Sequence, residues 1–134
     1  MIIESFIKTA KKNFNKIVQE DSTGLSLTFG QTLTAGILLS KHVRNFEGEN
    51  IALVFPASVG GALAFIATTL SGKTPVGLNF IAGKEEQDCV MNTCDIKTIF
   101  TSRVFIQKAE IVEDPRMVFI EDIKEKTSKL EKMF

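Results

Sequence analysis

Few residues of this chain have side chains suited to catalysis, and their spacing does not bring them together. His42 is the only histidine. A general base needs a nucleophile or an orienting carboxylate within hydrogen-bond reach, and spacing places no Ser, Cys or acid beside it. It reads as a surface or satisfied core residue. Cys89 and Cys94 are the only cysteines. On a helix, five residues separate their Cα atoms by about 7.5 Å along the axis, beyond disulfide reach, and the spacing is not that of a metal site. They read as buried, reduced thiols. Glu85, Glu86 and Asp88 form a carboxylate cluster, which in a first helical turn is a solvated complement to the helix dipole rather than a metal site.

Two stretches bear on phosphate binding. Pro56-Ala-Ser58-Val59-Gly60-Gly61 runs from strand through glycines to helix, the order in which phosphate loops occur, but matches neither G-x-G-x-x-G nor G-x-x-x-x-G-K-[ST]. Ser58 fits better as an N-cap, and the glycines as close-packing positions inside the helix. Ser71-Gly72-Lys73-Thr74 contains the letters G-K-T, but Pro75 follows at once, so no helix starts there.

The elements that would hold these residues are legible from periodicity. Ile3, Phe6, Ile7, Ala10 and Phe14, with lysines between them, predict an amphipathic first helix. Asp21-Ser-Thr-Gly24 is a turn, giving a β-hairpin of about residues 16–20 and 25–28. Thr28-Phe-Gly-Gln31 has the form of a capping box opening a helix to about Phe46, in which Ala35-Gly36 lets a neighbouring backbone approach. Asn50 to Phe55 is a continuous apolar run, as for a strand covered on both faces. A helix follows with Ala62, Leu63, Ile66, Ala67 and Leu70 inward, closed at Gly72. Then come a strand over 74–78, an irregular turn at Asn79–Gly83 and a helix burying Val90, Cys94 and the following Ile96. A strand over 97–101, a short helix over 103–109 capped by Ser102, and a strand over 117–120 complete the sheet. Asp122-Ile-Lys-Glu125 predicts a second capping box for a terminal helix with Ile123, Thr127, Leu130 and Phe134 on one face. The fold class expected is α/β: a three-layer, mostly parallel, doubly wound sheet flanked by helices, with an N-terminal helix and hairpin, as a single domain over 1–134.

Composition narrows the partners. Sixteen basic residues balance sixteen acidic ones, so the chain as a whole has no footprint for nucleic acid or an anionic membrane, and only a local patch remains open. Eleven Phe with no Trp or Tyr favour core packing over base stacking. The start lacks a signal-peptide pattern, and the longest apolar stretch, Val59 to Leu70, is too short to span a bilayer. The expected location is cytoplasmic.

Several stretches together resemble the AMP-forming acyl-CoA and acyl-carrier-protein synthetases of the adenylate-forming superfamily. Leu27-Thr-Phe-Gly-Gln-Thr-Leu33 is similar to that family's "lTY-gel" segment, Ile51–Pro56 to its "valllpns" strand, and Gly72–Asn79 to its "G-x-v-PV-x-LN" turn. Leu78–Gly83 with Thr101–Phe105 looks most like the acyl-carrier-protein synthetase branch found beside 2-acylglycerophosphoethanolamine acyltransferases. The resemblance implies a parent that, with ATP and Mg2+, converts a fatty acid to an acyl-adenylate and passes it to coenzyme A or acyl carrier protein. Such a parent could be membrane-associated. The family's Ser/Thr/Gly-rich phosphate loop ending in Lys, and its catalytic lysine, have no counterpart in this sequence, so no catalytic, cofactor-binding or metal-ligating residue is carried over.

Two readings follow. In the first, the chain is the N-terminal scaffold subdomain of such a ligase, inactive alone, its partner the C-terminal part or a second copy covering the same face. In the second, it is a self-contained, non-catalytic ligand-binding or oligomerisation domain. That domain would hold a pocket at the carboxyl ends of its strands, near Pro56–Ser58, Asn79–Gly83 and Thr101–Arg103.

Overall fold

The computed structural model describes residues 2–22 and 24–127. Helix α1 (Ile2–Lys12) precedes a hairpin of β1 (Ile17–Glu20) and β2 (Ser26–Thr28), and α2 (Phe29–Val43) leads into an alternating series. That series is β3 (Asn50–Val54), α3 (Val59–Leu70), β4 (Thr74–Gly77), α4 (Lys84–Thr93), β5 (Thr98–Thr101), α5 (Arg103–Lys108), β6 (Met117–Phe119) and α6 (Ile120–Lys126). The four later strands form a parallel sheet in the order β4-β3-β5-β6. The expected three-layer α/β architecture, with its N-terminal helix and hairpin, is the one observed.

The central strands are the most apolar. Ile51, Ala52 and Val54 of β3 and all four residues of β5 are buried, as befits strands covered on both faces. Pro75 lies in β4, at the sheet edge, where its missing N–H leaves no ladder bond unmade inside the sheet. Two clusters fill the space on either side. One joins Leu39 and Val43 of α2, Leu63, Ala64 and Ala67 of α3, and Ile120 and Ile123 of α6 around Phe100. The other is smaller and sets Met91 of α4 and Ile96 against Ala52, Val54 and Ile99.

Local chemistry accounts for the helix boundaries. Thr28 accepts the amide of Gln31 at 3.1 Å while the Gln31 side chain accepts the amide of Thr28 at 2.9 Å, so the predicted capping box is formed. Ser58 caps α3 and Ser102 caps α5. Gly72, at φ +85°, ends α3 in the left-handed region, and the following Lys73 amide bonds back to the Thr68 carbonyl. Gly36 brings α2 onto α3: a Cβ there would stand 2.9 Å from Ile66 Cγ2 and 3.3 Å from Leu70 Cδ1.

Several expectations are corrected. Helix α2 ends at Val43, not Phe46, because 44–46 continue only as turns. The inward face of α3 includes Ala64 and Thr68 and leaves Ala62 exposed, since this helix packs on α2 as well as on the sheet. Gly60 is not a close-packing position; its nearest neighbour would be its own Ser58 cap, at 3.8 Å, whereas Gly61 does press on the Pro56 carbonyl. Cys89 is exposed and Cys94 half-buried, because Met91 supplies the buried contact of α4. The Asp122–Glu125 capping box does not form: α6 opens two residues earlier, at Ile120, with Phe119 at the N-cap and no side-chain cap. Leu130 and Phe134 lie outside the described residues.

Candidate functional site

In a doubly wound sheet a ligand is expected where adjacent strands send their connections to opposite faces. Here that point lies between the carboxyl ends of β3 and β5. Strand β3 leads into α3, on the face of the larger cluster, whereas β4 returns through α4 on the opposite face to reach β5. The turns at Pro56–Ser58 and at Thr101–Arg103 therefore flank the crevice, with Asn79–Gly83 on one side and the start of α6 on the other.

The chain's own polar side chains already bond the backbone along this edge. Thr101 Oγ1, fully buried, donates to the Val54 carbonyl at 2.6 Å and bridges the two central strands across the crevice. At the N-terminus of α3, Ser58 Oγ accepts the Gly61 amide at 3.1 Å and Asp21 Oδ2, from the hairpin, accepts the Val59 amide at 3.2 Å. Asn79 Oδ1 closes its own turn by accepting the Ile81 amide at 3.1 Å. Anions are favoured at a helix N-terminus because free amides and the helix dipole converge there. A resident carboxylate already takes that position on α3.

The same device recurs at α5. Glu121, just past β6, accepts the Arg103 amide at 2.8 Å through Oε1 and the Ser102 hydroxyl at 2.6 Å through Oε2. The Arg103 guanidinium grips Asp122 with two bonds of 2.9 Å and lies 4.4 Å from the centre of the Phe119 ring. Burial pushes the Glu121 carboxyl up, but the Ser102 hydroxyl and the backbone amides it accepts outweigh burial and hold it below its ordinary value. Asp122 is lowered by the hydrogen bonds from Arg103. Both acids are thus ionised ends of a structural clamp between β5 and β6, with no nucleophile or base among them poised to act. Sequence reading named Ser102 as a cap but missed Glu121. The signal lay in the parallel pairing of β5 with β6, which periodicity does not reveal.

The other chemically able residues are dispersed. His42 Nε2 lies 3.1 Å from Thr127 Oγ1, tying α2 to the end of α6. Glu85 and Glu86 stand exposed in the first turn of α4. No group of three His, Cys, Asp or Glu among the described residues could hold a metal ion. With carboxylates at the N-termini of α3 and α5, the described residues do not fit a nucleoside triphosphate and its magnesium, whose phosphates need convergent amides and a cation.

A groove of about 470 Å3 lies elsewhere, on the α4 face of the sheet. Val54, Leu78, Phe80, Met91, Ile99 and Met117 form its apolar lining, and Lys84, Asp88, Glu110, Glu113, Asp114 and Arg116 its charged surround. Arg116 is engaged by Asp114 at 2.7 Å, so acid predominates around the opening. The pocket expected at the strand ends is therefore displaced: of the three predicted turns, only the 79–83 turn contributes, through Phe80.

No protein-family model matches the sequence. Solved structures do. The N-terminal domain of FACL13 from Mycobacterium tuberculosis matches with a TM-score of 0.75 over 97% of this chain and 35% of its own, at 17% identity. The O-succinylbenzoate coenzyme A synthetase MenE from Bacillus subtilis matches with a TM-score of 0.74 over 91% of this chain and 34% of its own, at 16% identity. The N-terminal subdomain of NpsA from Klebsiella oxytoca matches with a TM-score of 0.76 over 92% of this chain and 32% of its own, at 10% identity. The chain thus shares the fold of these structures and spans about a third of the length of each of the three chains named.

Proposed function

We propose that this chain is the N-terminal scaffold subdomain of an AMP-forming acid–thiol ligase, whose parent activates a fatty acid with ATP and Mg2+ and transfers it to coenzyme A or acyl carrier protein. The observation that carries this reading is the match of 97% of the chain to about a third of FACL13. The motifs of the resemblance occupy coherent positions: Leu27–Leu33 spans the hairpin end and the capped start of α2, Ile51–Pro56 is the central strand, and Gly72–Asn79 is the glycine-closed turn into β4. The resident hydrogen bonds at the strand-end edge support a scaffold role, with the nucleotide-handling groups supplied by the rest of the parent. The acyl-carrier-protein branch rests on Leu78–Gly83 and Thr101–Phe105 alone. The groove on the α4 face favours a self-contained binding domain, while the resident carboxylates at the N-termini of α3 and α5 count against a ligand at the strand ends.

The test is ATP–pyrophosphate exchange with a panel of fatty acids, run on the 134-residue chain and on the product of the reading frame extended past the codon for Phe134. The expected result is no exchange by the chain alone and exchange by the extended product, whose added sequence should include a Ser/Thr/Gly-rich loop ending in Lys. Exchange by the chain alone, or a stop codon directly after Phe134, would overturn it.

A further inference from the structure

The neutral total conceals a segregation of charge. Residues 2–18 hold Lys8, Lys11, Lys12 and Lys16 against a single acid, Glu4, so the remainder of the chain carries twelve basic residues against fifteen acidic ones. All four lysines are exposed, and among the described residues none has an ion pair or a side-chain hydrogen bond. On α1 the buried Ala10 and the half-buried Ile3, Phe6 and Ile7 mark the face turned to the protein, where Phe6 meets Phe29 of α2 with ring centres 6.4 Å apart. At 100° per residue, Lys8 and Lys12 fall on the opposite side and Lys11 on the flank between the two faces.

The same segment also exposes apolar bulk. Among the described residues, four of the nine large exposed hydrophobic ones lie in it: Ile2 at 75% exposure, Phe14 at 52%, Ile17 at 62% and Val18 at 37%. Three of these follow the last turn of α1 and bracket Lys16. The packing of α1 requires none of them outside, since its own inward face is already met. Basic side chains beside exposed aromatic and aliphatic ones are the combination that lets a surface sit at a bilayer interface, lysines among the headgroups and apolar side chains below them.

We propose that the lysine face of α1, together with the Phe14–Val18 segment, docks peripherally on an anionic lipid surface. This inference does not depend on the ligase reading. The charge of the patch is complementary to acidic lipid, and each lysine near such a surface strengthens binding by about fivefold, so four lysines suffice for reversible attachment at low salt. No helix among the described residues is long and apolar enough to cross a membrane, and the attachment proposed here needs none. The competing occupant is the acid-rimmed groove of a second copy. Helix α1 packs with α2 and α3, on the far side of the sheet from that groove, so such a contact would run head to tail between molecules.

The experiment is vesicle flotation of the full 134-residue chain with phosphatidylcholine vesicles containing 30% phosphatidylserine, against pure phosphatidylcholine, at low and high salt. Sedimentation equilibrium is run in parallel. Binding is expected only to the mixed vesicles and should fall at least tenfold at ~0.5 M salt, where screening shortens the reach of each charge. The variant K11E/K12E should lose binding by about twentyfold or more. Phe14→Ser should lose a smaller amount at all salt concentrations. Lys11 and Lys12 are exposed, whereas the half-exposed Phe14 ring also lies over Gly30, so unchanged circular dichroism must confirm folding of each variant; Lys8→Gln with Lys16→Gln provides a milder pair, expected to weaken binding by about tenfold or more. No binding to the mixed vesicles, equal binding to pure phosphatidylcholine, or binding unchanged in K11E/K12E and in the milder pair overturns the proposal. Self-association of the native chain that K11E/K12E abolishes, without lipid binding, would assign the patch to a second copy instead.

Discussion

Glu121 shows how one carboxylate can decide the character of a site. Its two oxygens serve the Ser102 hydroxyl and the amide of Arg103, so its removal strands donors at the start of α5. Replacing it with Gln keeps an acceptor but removes the charge that strengthens these bonds, and should cost about 1 kcal/mol in urea unfolding at neutral pH. Glu121→Ala, which removes the acceptor, should cost roughly twice as much. Glu121, Asp122 and Asp114 are all held below their ordinary carboxyl values, Asp114 chiefly by its hydrogen bond from Arg116. Below neutrality the unfolded chain therefore binds protons before the folded one. Stability from these groups is full above about pH 5 and is lost as the pH falls through the folded values. In E121Q the acid limb of the stability–pH curve should be shallower, and an unchanged limb would mean that the clamp contributes nothing to folding.

At the scale of elements, the contact between α2 and α3 depends on Gly36. Gly36→Ala would place a Cβ 2.9 Å from Ile66 Cγ2, so one helix must shift, and about 1–3 kcal/mol of destabilisation is expected in thermal or urea unfolding. Loss of the Thr28 cap in Thr28→Ala should cost about 1 kcal/mol. Stability unchanged in either variant would show that the contact or cap is dispensable. These two features were legible in the sequence because both are local: a capping box spans four residues, and Ala35-Gly36 marks a close approach whatever the neighbour proves to be. The features that were missed are long-range. The box expected at Asp122–Glu125 failed because Asp122 is drawn to Arg103 and Glu121 to α5, partners nineteen and eighteen residues away. The displaced groove has the same cause, since it is bounded by α4 and by the 109–117 segment, which local pattern leaves unrelated.

Over the whole molecule, one parallel sheet separates two unequal cores. The α2–α3–α6 side buries Phe100 completely, with Phe46 and Phe55 edge-on at 5.3 and 5.4 Å, and twelve buried residues form its cluster. The α4 side has five, and it borders the groove. Local opening follows buried apolar contact, so the two sides should not open together. In hydrogen exchange, amides of α4, whose one buried side chain is Met91, should exchange faster than those of α2, α3, β3 and β5. Met91→Ala should accelerate exchange in α4 while leaving α2 and α3 near their native rates, whereas Phe100→Ala, costing about 3–5 kcal/mol, should accelerate all of them. Uniform exchange across both faces would mean that the sheet couples them into one cooperative unit. The face expected to exchange faster is also the one that bears the groove. If the reading frame continues past Phe134, as the proposed function requires, the extended product should exchange more slowly in α4 than the 134-residue chain does, with a smaller change in α2; equal slowing of both would show that the added part does not cover the α4 side.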